Sequence, residues 1–313
     1  MPLLICYGKV EFMAEKDRIE KVFFQHPDVF ADVFNGNVFG GREAIDPSKL
    51  TASETESQFS NHQGKHHTQY RDLLMEYKEG KQTLALFGIE NQSKIDRMIP
   101  VRVLNYNIAS YAKQASSGAK KLYPVMTIVL YFGQKKWNAS RQLEDLFDLK
   151  NYPELREYMP KLKIKVVDVA HMDEADFEKL KSDFKHVAQY LTKRSRNEAY
   201  EPEEPAFKHF DDFMDLISEL DHEGVDEFQE WVEANGSDEV KDKMMNFIDR
   251  AKAEGRAEER TEARKEGLAN LIIVLSESGF EESQVFEKAK ARYGNYFSDE
   301  EIKGFIVETK LGA

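Results

Sequence analysis

The sequence predicts an α/β fold, a mixed sheet flanked by helices, followed by an all-helical C-terminal region. Three observations carry this reading. Strand-like and helix-like segments alternate through about residue 170. The segments QTLALFGIE (82–90), LYPVMTIVLYFG (122–133) and LKIKVVDVA (162–170) are apolar on both faces, as strands buried between helical layers are. Beyond residue 200 the pattern is helical only.

KDRIEKVFFQHPDVFADVF (16–34) sets Ile19, Phe23, Phe24, Phe30 and Phe34 near helical spacing, and Pro27 suits the first turn of a second helix. A helix pair is expected. Residues 35–66 are rich in Gly, Asn, Ser and Thr and read as a loop with a short strand. HTQYRDLLMEYK (67–78) reads as a strand, EGK (79–81) as a three-residue turn, and 82–90 as the partner strand of a hairpin. In that register Leu74 faces Leu86 and Asp72 faces Gly88. KIDRMIPVRVLNYNIASYAKQ (94–114) reads as a helix with an apolar stripe of Val101, Leu104, Ile108 and Tyr111, and Pro100 is tolerable in its first turn. EAYEPEEP (198–205) marks a linker, which divides the chain into a body at 1–200 and an acidic helical region at 201–313. The charge-dense AKAEGRAEERTEARKEG (251–267) reads as a solvated helix that positions the final apolar ones.

The chain has 313 residues, 41% of them hydrophobic and 32% charged, the balance of a globular protein with exposed helices. Its net charge of −13 argues at first against nucleic acid, but the average misleads. Residues 1–200 hold 30 basic and 27 acidic side chains, whereas 201–313 hold 14 and 30. Only the last third is acidic. The body carries basic clusters at Lys120 and Lys121, at Lys135 and Lys136, at Lys161, Lys163 and Lys165, and at Lys193, Arg194 and Arg196. These fit solvated faces and also permit a nucleic-acid partner. Cys6 is the sole cysteine, which excludes an internal disulfide and a cysteine-based zinc site. No apolar run approaches the roughly 20 residues of a membrane span, and MPLLICYGKV lacks a basic leader and a cleavage site, so a cytoplasmic protein without membrane contact is expected.

The end of the second hairpin strand, GIENQS (88–93), carries Glu90 and Gln92 on one face. Asp72 shares that face as a diagonal neighbour of Glu90, with Gly88 leaving space between them. Two carboxylates at the end of a buried strand repel each other and lose solvation, which a hard cation such as Mg²⁺ would offset. Exposed strand ends would carry the same residues without any metal. HQGKHH (62–67) offers His62, His66 and His67, but with no cysteine and no helical frame it reads as a polar loop.

YRDLLMEYKEG, LALFGIENQSKIDRMIPVRVLNYNIASYAKQ and YPVMTIVLYFGQKKWN resemble successive signature blocks of the bacterial family of recombination-promoting nucleases and putative transposases, within the PD-(D/E)XK nuclease superfamily. The resemblance covers roughly residues 15–200. It implies a restriction-endonuclease-like sheet and metal-dependent DNA endonuclease activity linked to recombination or mobile elements, with Mg²⁺ as cofactor and Mn²⁺ as a substitute. By the same resemblance Asp72 and Glu90 are metal ligands, the Asn91 carbonyl is a third, and Gln92 stands where the superfamily usually has lysine. Asp17 is similar to an accessory acidic residue of some members, with Glu20 competing for the role, and Lys94 is placed to replace the missing lysine. Arg102, one turn before Tyr106, is either a phosphate contact or a salt bridge to the sheet carboxylates. Lys135 and Lys136 are candidate DNA contacts, and Trp137 reads as core.

Glutamine cannot supply lysine's positive charge. A catalytically weak DNA-binding or interaction module that keeps the nuclease fold is therefore the alternative function. The acidic helical region also fits a role in homo-oligomer formation.

Overall fold

The computed structural model of the chain describes residues 18–53, 56–60, 66–70, 72–202 and 206–311. It has two compact units, Met1–Lys243 and Met244–Ala313. In the first, helix α1 (18–24) and helix α2 (Pro27–Asn37) form the expected pair, with Pro27 in the first turn of α2. Strands β1 (Leu50–Ala52), β4 (Leu73–Glu79), β5 (Gln82–Gln92), β6 (Val125–Tyr131) and β7 (Lys165–Asp168) make one sheet in the order β1-β4-β5-β6-β7. The first three run antiparallel, and β5, β6 and β7 run parallel, so the sheet is mixed. Strands β2 (Glu56–Ser60) and β3 (His66–Tyr70) pair separately. The strand expected at 67–78 is thus two strands, broken before Leu73, where the Asp72 side chain turns to a backbone amide of β5.

The hairpin register also differs from expectation. Glu79 pairs with Gln82, so the turn has two residues, Gly80 and Lys81, instead of three. Only Gly80 there has positive φ (59°), as a type II′ turn requires of its first central residue. A second step comes from a bulge: Tyr77 pairs with Ala85 and Lys78 with Thr83, leaving Leu84 as an extra residue in β5. Beyond it Leu74 faces Gly88, not Leu86. Each step alone would move Asp72 to the other face of the sheet, because side chains alternate. Together the two steps cancel in face, and the pairing ends at Leu73 with Ile89, so Asp72 lies just beyond the strand and its side chain reaches the Asn91 amide. Gly80→Ala is expected to cost about 1 kcal/mol in a denaturant melt, the strain of a Cβ at positive φ.

Helix α3 (Ile99–Ser116) crosses one face of the sheet between β5 and β6. Its Ile99 and Val103 pack with Val129, Tyr131, Trp137 and Val166. The expected stripe is not the buried one. Val101, Leu104 and Tyr111 are half-buried and Ile108 is 53% exposed, while Ile99, Val103, Tyr106 and Asn107 are buried. The helix turns a partly polar face to the sheet because the sheet offers it a carboxylate. The opposite face is covered by aromatic contacts, Phe34 on Phe87 from α2 and Phe24 on Phe132 from α1. Phe24 also meets Phe184 of helix α5 (Phe184–Ser195), which follows the short helix α4 (Glu174–Phe177).

Helices α6 (Phe210–Leu220) and α7 (His222–Asn235) lie within the first unit. Phe207, Phe213 and Phe228 form an aromatic cluster there, joined by His186 and Tyr200. Helix α8 (Asp238–Glu277) is 40 residues long, and its charged stretch is largely exposed, as expected for a solvated helix. In the second unit Leu268 and Ile272 pack with Val285 and Ala289 of helix α9 (Glu282–Tyr293) and Ile302 and Ile306 of helix α10 (Asp299–Leu311). Among the described residues no helix is long and apolar enough to cross a membrane.

Candidate metal and nuclease centre

The carboxyl ends of β5, β6 and β7 lie side by side, with Gln92 paired to Tyr131 and Tyr131 to Asp168. This is the end of a parallel sheet where α/β proteins usually place their ligands. Glu90, one pleat inside the rim, is 4% exposed and faces α3. A carboxylate so far from water needs partners, and α3 supplies two. Arg102 Nη2 lies 2.5 Å from Glu90 Oε1. Tyr106, one turn further and itself 2% exposed, hydrogen-bonds to Glu90. Burial, and after it the charge of Glu90, push the Tyr106 phenol above its ordinary pKa, so it stays protonated and donates. Gln92 Nε2 donates to the same Oε1 at 3.3 Å. Asp72 Oδ2 accepts the backbone N–H of Asn91 at 2.6 Å, which fixes the second carboxylate beside the first.

Asp72, Glu90, Asn91 and Gln92 therefore meet at one strand end. The Asn91 side chain points to the other face by strand alternation, and both its amide atoms are buried without a hydrogen-bond partner among the described residues. Its part in the centre belongs to its backbone. Arg102 makes the salt bridge of the two readings left open by the sequence, with a longer contact to Asp96 at 3.8 Å. Lys94 is exposed in the bend after β5. Lys135 and Lys136 are exposed just past β6, at the same end of the sheet. Glu20 is buried on α1, and Asp17 lies outside the described residues. Trp137 is core, its Nε1 donating to the Ala139 carbonyl. Gln114 holds the backbone of Tyr123 through both amide atoms. His62 falls outside the described residues, as do the side chains of His66 and His67.

Two acidic residues went unread in the sequence. Asp96 reaches Arg102 from the loop before α3. Asp168 ends β7 as Glu90 nearly ends β5, accepting from Trp137 N and bonding to His171 Nδ1, each at 2.7 Å. The signal that singled out Glu90, an acid closing a buried apolar strand, is present in KVVDVA too.

The sequence model of a family described as "Putative transposase, YhgA-like" matches residues 15–215. The chain belongs to that family. The match takes in the whole five-stranded sheet and α3, and the family's description links the chain to mobile elements. No curated protein and no solved structure matches it. Within this YhgA-like member every element that builds the Asp72 and Glu90 pair lies inside the matched range.

Proposed function

We propose that this YhgA-like chain is a metal-dependent DNA endonuclease of PD-(D/E)XK organisation that hydrolyses phosphodiester bonds. The observation that carries the reading is the Asp72 carboxylate held on the Asn91 amide, next in sequence to the buried Glu90 at the carboxyl end of β5, in a mixed sheet between helical layers. The donor set fits the group: two carboxylates and the neighbouring Asn91 carbonyl are hard oxygen donors of the kind Mg²⁺ or Mn²⁺ takes. A bound Mg²⁺ would supply an activated water and stabilise charge on the phosphoryl group.

The chain's own residues do the positioning. Asn91 N–H aims Asp72, and Tyr106 and Arg102 hold Glu90. The Gln92 amide sits at the Glu90 carboxylate, where a lysine would stand in the superfamily, and orients water by donation without adding charge. Lys135 and Lys136 at the same rim bind the DNA backbone, so affinity for DNA falls steeply with salt.

A weak DNA-binding module is the second reading, and two features favour it: the glutamine at position 92, and the Arg102 guanidinium paired with Glu90, the carboxylate a metal would share. Single-turnover cleavage separates them. With an active site, Gln92→Ala slows cleavage by about 10–1,000-fold, the loss of one positioned donor, and Gln92→Lys keeps or raises the rate. With a decayed site, wild type and Gln92→Ala are equally slow and only Gln92→Lys gains turnover.

A further inference from the structure

We infer that a second metal site, for a Zn²⁺-class ion, is built where the N-termini of α2 and α6 meet. Among the described residues, His26, His209 and Asp212 form a group in which a nitrogen of each imidazole and a carboxylate oxygen all lie within 4.8 Å of one another. His26 is the N-cap of α2 and His209 the N-cap of α6, yet neither side chain caps its helix. Both turn toward each other instead, with ring centroids 3.6 Å apart and planes 15° apart.

Each imidazole already has a carboxylate from the other helix. His26 Nε2 lies 2.6 Å from Asp212 Oδ2, and His209 Nε2 lies 3.1 Å from Asp28 Oδ1. The convergent group itself is two imidazole nitrogens and the Asp212 carboxylate, with Asp28 held beside it on His209. Imidazole with carboxylate suits Zn²⁺ and its neighbours and does not suit Mg²⁺. The frame is firm. Asp183 accepts the backbone N–H groups of Lys208 and His209 at 3.2 and 2.5 Å, which fixes the chain entering α6, and Pro27 fixes the first turn of α2. All four side chains are half-buried, His209 being 15% exposed and the others 26–27%. To bind one ion the two rings must turn out of their stack and exchange their carboxylate partners for the metal, a movement of side chains at a partly exposed site.

Two helix N-termini and the Lys208 ammonium, 2.7 Å from Asp28 Oδ2, raise the local potential. The Asp28 and Asp212 carboxylates offset it. Sequence reading missed the site because its halves lie at opposite ends of the first unit's chain.

The site is independent of the proposed nuclease centre, and the test keeps the two apart. Full-length protein carrying Asp72→Asn and Glu90→Gln is titrated with Zn²⁺ by calorimetry and with Co²⁺ by visible absorption. One equivalent of Zn²⁺ at micromolar affinity or tighter is expected, with Co²⁺ bands of low coordination number and a raised melting temperature. His26→Gln keeps a donor for Asp212 and removes the ligand nitrogen, and His209→Ala removes the other. Each is expected to weaken Zn²⁺ at least tenfold while the melting temperature without metal stays within a few degrees. Absence of Zn²⁺ binding, or binding unchanged in both histidine variants, overturns the site. If His209→Ala does not fold, the His26→Gln result alone decides.

Discussion

Asp72→Asn and Glu90→Gln are each expected to lower Mg²⁺-dependent cleavage of plasmid DNA by about 10³-fold or more, because each removes a charged oxygen donor from a two-carboxylate centre. The substitutions are near-isosteric, so the fold is spared. Asn at 72 keeps an oxygen to accept the Asn91 N–H, and Gln at 90 keeps an acceptor for Tyr106 and Arg102. Circular dichroism of both variants should match the wild type, and Mg²⁺ should no longer raise their melting temperatures. Cleavage within tenfold of wild type in both would remove Asp72 and Glu90 from the chemistry.

Arg102→Ala is expected to destabilise the metal-free protein by about 2–4 kcal/mol. Breaking a buried ion pair by removing one partner typically costs 3–5 kcal/mol, and the partial exposure of Arg102 lowers that somewhat. Its side chain is 31% exposed, against 5% for Glu90, so the variant leaves a buried carboxylate with Tyr106 and Gln92 but no cation. A cation at Glu90 should then matter more than in the wild type. Mg²⁺ at about a hundred times its dissociation constant contributes about 2.7 kcal/mol to a protein that binds it only when folded, which is enough to recover most of the loss. Denaturant melts with and without Mg²⁺ read both effects. An unchanged midpoint without metal would show that the Arg102 to Glu90 contact contributes nothing. A loss that Mg²⁺ leaves untouched would separate Arg102 from the metal centre.

The layers of this fold were legible because burial leaves a mark on composition: QTLALFGIE, LYPVMTIVLYFG and LKIKVVDVA are apolar on both faces and each became a strand of the central sheet. The register was not legible. The length of the turn at Gly80 and the bulge at Leu84 are backbone choices that depend on the twist of the whole sheet, and no residue there announces either. The two steps compensate in face, so the pairing up to Leu73 keeps the alternation that the sequence reading assumed. The buried side of α3 was misread for another reason. Counting apolar residues favoured Val101, Leu104 and Ile108, whereas the helix turns Arg102 and Tyr106 inward to meet Glu90, a tertiary contact that outweighs local periodicity. The helical character of the last third was plain from its charge and spacing. The cluster of His26, His209 and Asp212 joins residues whose proximity only the folded chain creates.

The central claim is that the carboxylates of Asp72 and Glu90 form a metal-dependent DNA-cleaving centre, and plasmid nicking by the full-length protein under four conditions tests it most directly. Supercoiled DNA is incubated with protein and Mg²⁺, Mn²⁺, Ca²⁺ or EDTA, with the Asp72→Asn, Glu90→Gln double variant purified in parallel as the blank. Nicked and linear product is expected with Mg²⁺ and Mn²⁺, and none with EDTA or with the double variant in any condition. Equal nicking by wild type and double variant, or nicking that persists in EDTA, would contradict the claim, as would intact plasmid with Mg²⁺ and Mn²⁺ at a protein concentration that saturates the DNA.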